Sequence, residues 1–175
     1  GGRDGTAGVG APGRSLVDRC AGDRGRRGPC SRGVHCCRPF CGVMRISVGC
    51  DLVDVADVAE SVAQFGDRYL RRIYTEREIA ACAGPAFAER LAARFAAKEA
   101  VIKALTIVDA PTPLTEIEIV GVGGVPRIEL TGSVGRLAEQ RGWNGASVSL
   151  SHTATQAMAM VAGFVTDPPS DAVPT

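Results

Sequence analysis

From residue 44 onward, apolar and polar positions follow regular periods. The stretch "MRISVGCDLV" alternates, with Ile46, Val48, Cys50 and Leu52 pointing one way and Ser47, Gly49 and Asp51 the other. Period two predicts a half-buried strand with Asp51 on its polar face. "DVADVAESVAQFG" then places apolar residues at 55, 58, 59, 62 and 65, the spacing of a helix that Gly66 ends. Thr75 and Glu78 have the spacing of a capping box, which opens a short helix closed by Gly84-Pro85. A long helix is expected from about Ala86 to Leu105, followed by the Pro-rich loop "DAPTPLT". "TEIEIVGV", "PRIELTG" and "ASVSLSH" alternate as strands, and "GSVGRLAEQRG" reads as a short helix between the last two. "TQAMAMVAGFV" predicts a buried final strand pairing with 146–152. Strands and helices without regular βαβ alternation favour the α+β class.

Composition changes this picture at the ends. A chain of 175 residues, 45% hydrophobic and 22% charged, has the profile of one soluble domain. No apolar run reaches the roughly 18 residues of a membrane span, so no membrane partner is expected. The net charge of +1 hides an asymmetry. Residues 1–43 carry eight Arg against three Asp, and five of the seven Cys. Residues 44–175 carry 12 basic and 16 acidic side chains. The head is rich in Gly, Arg and Cys and lacks apolar periodicity, so residues 1–43 are expected to be a disordered or spurious extension ahead of Met44. The alternative there is a metal site from Cys30, His35, Cys36, Cys37 and Cys41, whose spacing lacks a paired C-x2-C. Residues 44–166 form the expected domain and 167–175 a disordered tail. Nucleic-acid binding would rest on the Arg-rich head alone, against an acidic remainder, and is not expected. Cys50 and Cys82 in the patterned part suit a reducing, cytoplasmic location.

The long helix holds the candidate chemistry. "RFAAKEAVIKAL" contains Lys98 and Lys103, the only lysines among 20 fixed cations. On a helical wheel, Phe87, Leu91, Phe95, Ile102 and Leu105 form an apolar stripe, and Glu99 and Lys103 are i,i+4 neighbours on its flank. The alanines 88, 92 and 96 around them allow another backbone to come close. Lys98 falls inside the stripe, where its ammonium either snorkels or reaches a polar pocket or a ligand phosphate. A strand Asp51 and a helix Glu99 can supply two hard oxygen ligands, the number Mg²⁺ takes when phosphate oxygens and water complete its shell. His152, ending a strand in "SLSHT", is either a structural residue or one that binds phosphate or moves a proton.

Three segments, "VGCDLVDV", "RFAAKEAVIKAL" and "SLSHT", taken in order, resemble the holo-[acyl-carrier-protein] synthase family of 4′-phosphopantetheinyl transferases. "YLRRIYTEREI" and "GGVPRIELTG" resemble its linking segments, and the match covers about residues 44–165. The resemblance implies a small, mostly antiparallel sheet packed on a long helix. It implies Mg²⁺-dependent transfer of the 4′-phosphopantetheine arm of coenzyme A to a serine of apo-acyl carrier protein in fatty acid biosynthesis or polyketide synthesis, with adenosine 3′,5′-bisphosphate leaving. Carried over by motif, Asp51 and Glu99 match the magnesium ligands and Lys103 the lysine near the coenzyme A phosphates. Arg94, Lys98, Ser151 and His152 match positions lining the coenzyme A site, and Gly124 and Pro126 match a turn along it. One copy of each motif resembles the short class, which implies a homotrimer with active sites between subunits. The family's basic position six residues after the metal Asp is Asp57 here, whereas Arg68 matches a basic position, with Arg71, Arg72 and Arg77 nearby. Carrier docking is therefore expected at Arg68 and Arg72. The alternative function is a non-catalytic domain that binds coenzyme A or a carrier.

Overall fold

The computed structural model describes residues 44–108, 110–122 and 124–166, so the head with its candidate cysteine site and the tail lie outside the described residues. The order is β1 (Met44–Asp54), α1 (Val55–Phe65), α2 (Asp67–Ile73), α3 (Glu76–Cys82), α4 (Phe87–Ala104), β2 (Ile117–Val122), β3 (Val125–Leu130), α5 (Gly132–Gln140), β4 (Trp143–His152) and β5 (Gln156–Thr166). The α+β expectation holds, but the strands divide. β1-β5-β4 form one antiparallel sheet, and β2-β3 form a separate hairpin. β5 pairs with β4, as its sequence predicts, and also along all of β1, so it is the central strand.

The buried face of β1 is the opposite of the one its alternation suggests. Ile46, Val48 and Leu52 are 64%, 54% and 58% exposed. The face of Ser47, Gly49 and Asp51 meets α4 instead. A Cβ at Gly49 would lie 1.9 Å from the Ala100 carbonyl oxygen, so only glycine lets the helix backbone come this close. The Ser47 hydroxyl donates to the Ala104 carbonyl. The alanines of α4 make the matching surface, with Ala92, Ala96, Ala97, Ala100 and Ala104 all buried. Close backbone approach, not large side chains, thus decides which face of β1 is covered.

Two apolar clusters fill the covered side. One joins the second half of α4 to Ile117, Ile119, Val134, Ala159 and Val161. The other joins Leu91, Ala92 and Ala93 to Val55, Val58, Leu70, Tyr74 and Ala157. The outer face of the sheet carries Ile46, Val48, Leu52, Met158, Met160 and Phe164, all exposed. The register puts them in rows: Ile46 beside Phe164, Cys50 beside Met160, Leu52 beside Met158. The helix α4, 18 residues and so about 27 Å long, ends at Ala104 with Leu105 as its cap, and Thr106 follows with a φ of +50°. There the Thr106 N–H bonds the Lys103 carbonyl and the Ile107 N–H the Ile102 carbonyl, satisfying two last-turn acceptors.

Candidate active site

Residues along β1 and α4 build the first cluster. Gly49 holds the two elements together, and two residues later on the same face Asp51 meets the far flank of α4. The Lys103 ammonium donates to Asp51 Oδ1 at 2.6 Å and to the Cys50 carbonyl at 3.1 Å. The helical pair expected between Glu99 and Lys103 therefore gives way to a bond between helix and strand. Hydrogen bonding to Asp51 is the main cause holding the Lys103 ammonium above its usual range. Burial, reinforced by the Asp51 charge, pushes the Glu99 carboxyl up. Two carboxylates crowd here with one cation beside them. Among the described residues no group of three or more His, Cys, Asp or Glu forms a metal cluster. Asp51 and Glu99 are hard oxygen donors whose charge a divalent cation would relieve, so the pair fits an ion that draws its other ligands from water and phosphate.

The second cluster lies at the other edge of the sheet. A cleft of about 330 Å³ is lined by Arg90 and Arg94 of α4, Ile119 and Val120 of β2, Gly124 and Pro126 at the hairpin turn, and His152 at the end of β4. The φ of Gly124 is +83°, which favours glycine at this turn. Arg94 Nη1 donates to the Arg90 carbonyl at 3.3 Å, while its Nε is buried with no hydrogen-bond partner among the described residues. A buried donor of this kind fits an anionic or carbonyl ligand. Arg90 was not among the sequence candidates. Its spacing, one turn before Arg94, is the signal that places both on one helix face.

Asp51, Glu99 and Lys103 come together, and so do Arg94, Gly124, Pro126 and His152. The two groups do not share one pocket within the chain. β1 and β4 are opposite edges of the sheet with β5 between them. Arg94 and Glu99 lie about 140° apart around the helix. Ser151 points to the outer face beside Met158, away from His152 and the cleft.

Lys98 requires a correction. It is fully buried, so it neither snorkels nor reaches a ligand phosphate. Its ammonium bonds Glu78 Oε2 at 2.7 Å and also the Leu114 and Ile117 carbonyls, spending all three donors inside the protein. Burial lowers its pKa, and Glu78 opposes that shift. The expected basic cluster also loses a member. Arg77 is held by Glu118 at 2.8 Å and Glu129 at 3.1 Å, while Arg68, Arg71 and Arg72 stay exposed on α2.

A family model described as the 4′-phosphopantetheinyl transferase superfamily matches residues 47–159. The chain belongs to that superfamily. Its curated relatives are holo-[acyl-carrier-protein] synthases, so the chain is an enzyme of the phosphopantetheinyl transferase class. It is similar to the holo-[acyl-carrier-protein] synthase of Koribacter versatilis, 41% identical over 121 residues, covering 67% of this chain and 97% of the relative. That of Desulforudis audaxviator is 43% identical over 118 residues, covering 66% and 90%. Among solved structures, the synthase of Chronobacterium ammoniagenes in complex with coenzyme A is 28% identical, with a TM-score of 0.62, covering 71% of this chain and 99% of that one. The Mycobacterium tuberculosis acyl carrier protein synthase is 36% identical, with a TM-score of 0.54, covering 70% and 100%. Among the described residues no helix is long and apolar enough to cross a membrane.

Proposed function

We propose that this transferase moves the 4′-phosphopantetheine arm of coenzyme A to a serine of an apo-acyl carrier protein. The observation that carries the reading is the meeting of Asp51, Glu99 and Lys103 at the β1 edge, in a chain similar to holo-[acyl-carrier-protein] synthases. Asp51 and Glu99 would hold Mg²⁺, which would supply charge neutralisation for the phosphate when bound. Lys103 adds a positive charge beside them, donating to Asp51 Oδ1. The serine oxygen bonds to the phosphorus bearing the arm, the anhydride P–O bond breaks, and adenosine 3′,5′-bisphosphate leaves. The serine proton passes to water or to a carboxylate of the cluster. Arg90, Arg94 and His152 give the second, cationic surface for the nucleotide end.

The two surfaces join between copies of the chain, in the homotrimer that the family resemblance implies. Two facts support this: their separation at opposite sheet edges, and the uncovered apolar face of β1 and β5. Arg68 and Arg72 form the docking surface for an acidic carrier. Incubation with apo-carrier, coenzyme A and Mg²⁺ tests the reading by the mass of the carrier. A gain of about 340 Da, the mass of the arm, is expected. Coenzyme A binding with no change in carrier mass would refute transfer.

A further inference from the structure

The wall of the cationic cleft belongs to the β2-β3 hairpin, which supplies Ile119, Val120, Gly124 and Pro126. An isolated two-stranded hairpin is marginal by itself, so something else must fix where it stands. Its register pairs Glu118 with Glu129 and Val120 with Arg127, and among the described residues β2 has no strand on its other side. On that free side the backbone groups of Ile117 and Ile119 meet a buried ion pair. Lys98 donates to the Ile117 carbonyl, and the Ile119 N–H donates to Glu78 Oε1 at 3.0 Å. Glu78 and Lys98 thus act on β2 as a neighbouring strand would, each taking one backbone group.

The segment that carries Glu78 is tied to the hairpin elsewhere too. Thr75 caps α3 and its hydroxyl also donates to Glu118, while Arg77 bridges Glu118 and Glu129 across the two strands. The Glu78 Oε2 oxygen accepts from the Thr75 N–H at 2.9 Å as well as from Lys98. Tyr74 closes the pocket from above, its ring centroid 5.7 Å from the Lys98 ammonium and its hydroxyl bonded to the Leu91 carbonyl. Neither Glu78 nor Lys98 lines the cleft. Lys98 sits between Arg94, which faces the cleft, and the Glu99–Lys103 cluster on the same helix.

We propose that the buried Glu78–Lys98 pair is a positioning device that sets the distance between α4 and the hairpin wall of the cleft, and so governs coenzyme A binding without touching coenzyme A. The proposal rests on the coenzyme A reading above. Wild-type transfer is measured first, so a failure of that reading is seen independently of the variants.

The test is the Glu78→Gln/Lys98→Met double variant, which removes both charges together and leaves neither one buried alone. Its KM for coenzyme A should rise about tenfold, with kcat at saturating coenzyme A within about twofold of wild type and KM for the carrier unchanged. Glu78→Gln alone can keep an acceptor for the Ile119 N–H but turns its amide NH2 toward the Thr75 N–H and the Lys98 ammonium, so it should raise the same KM at least as much. It carries the test if the double variant does not fold. Val134→Ala, on the buried face of α5, serves as a control for lost stability and should lower Tm without moving KM for coenzyme A. An unchanged KM in either folded variant would overturn the proposal. So would a joint shift of kcat and both KM values, or a KM shift in the Val134→Ala control.

Discussion

Lys98 and Lys103 lie five residues apart on one helix, and each meets a carboxylate at 2.6–2.7 Å. Lys98 and Glu78 have no exposed side-chain surface, whereas Lys103 is 52% exposed and Asp51 15%. The two lysines point about 140° apart, one into the seam with α3 and β2, the other to the edge of β1. The sealed pair spends all its donors on protein and holds elements together. The open pair leaves its charge within reach of a substrate. Similar ion-pair chemistry thus serves architecture in one place and, under the proposed function, binding in the other, and burial separates the two.

Substitutions at the open site should break activity while sparing the fold. Asp51→Ala and Glu99→Ala should each lower kcat/KM on the order of 10²–10³-fold, and Lys103→Ala about 10²-fold, measured by carrier modification. The Tm of Lys103→Ala should hardly move, because so exposed a pair contributes about 0–1 kcal/mol. Full turnover in both carboxylate variants would remove the metal assignment.

The sealed site should behave in reverse. Lys98→Met alone strands the Glu78 carboxylate and should cost about 3–5 kcal/mol in urea unfolding. A loss below that of Lys103→Ala would erase the contrast between the pairs. Gly49→Ala sharpens it further. The added methyl meets the Ala100 carbonyl, so about 1–3 kcal/mol should be lost as β1 moves off α4 and Asp51 parts from Lys103.

Charge reversal on α2 should have a smaller and separable effect. Arg68→Glu/Arg72→Glu should raise KM for the carrier on the order of tenfold, more at low salt, and spare coenzyme A binding. The smallest effect concerns pH. Burial and Asp51 raise the Glu99 carboxyl above its ordinary 4.5, so in the folded chain the proton is held more tightly than in the unfolded one. The stability this gives is fully present below pH 4.5 and is lost as pH rises through the raised value. Without metal, Glu99→Gln should therefore raise Tm slightly at pH 7 and leave it unchanged near pH 4. For the proposed metal site, the same shift predicts that divalent-cation binding would weaken as pH falls through the raised Glu99 value.

Much of this was legible in the chain. Local pattern gave every helix but α2, the Thr75–Glu78 cap and β5 beside β4, because these depend on neighbours in sequence. Asp51, Glu99 and Lys103 could be singled out as residue types suited to a phosphate and a hard cation. β1 was readable as a strand, but its covered face was not. Alternation assigns the apolar side inward, while Gly49 and the alanines of α4 reward the small side with close packing, and the apolar side is left for another surface. Lys98 was legible as an anomaly only. Its partner Glu78 is 20 residues away and already had a complete local role as a cap, so nothing nearby in sequence paired the two. Likewise, spacing could not reveal that the site residues divide between opposite edges of the sheet, since that depends on β5 running between β1 and β4.

That division makes subunit complementation the most direct test. One variant carries Asp51→Ala/Glu99→Ala and another Arg94→Ala/His152→Ala, each without transfer activity alone. Dissociated, mixed in equal amounts and reassociated, they should regain about a quarter of wild-type activity, the share of random contacts that unite an intact carboxylate cluster with an intact cleft. A mixture that stays inactive while forming mixed assemblies would contradict an active site built between subunits.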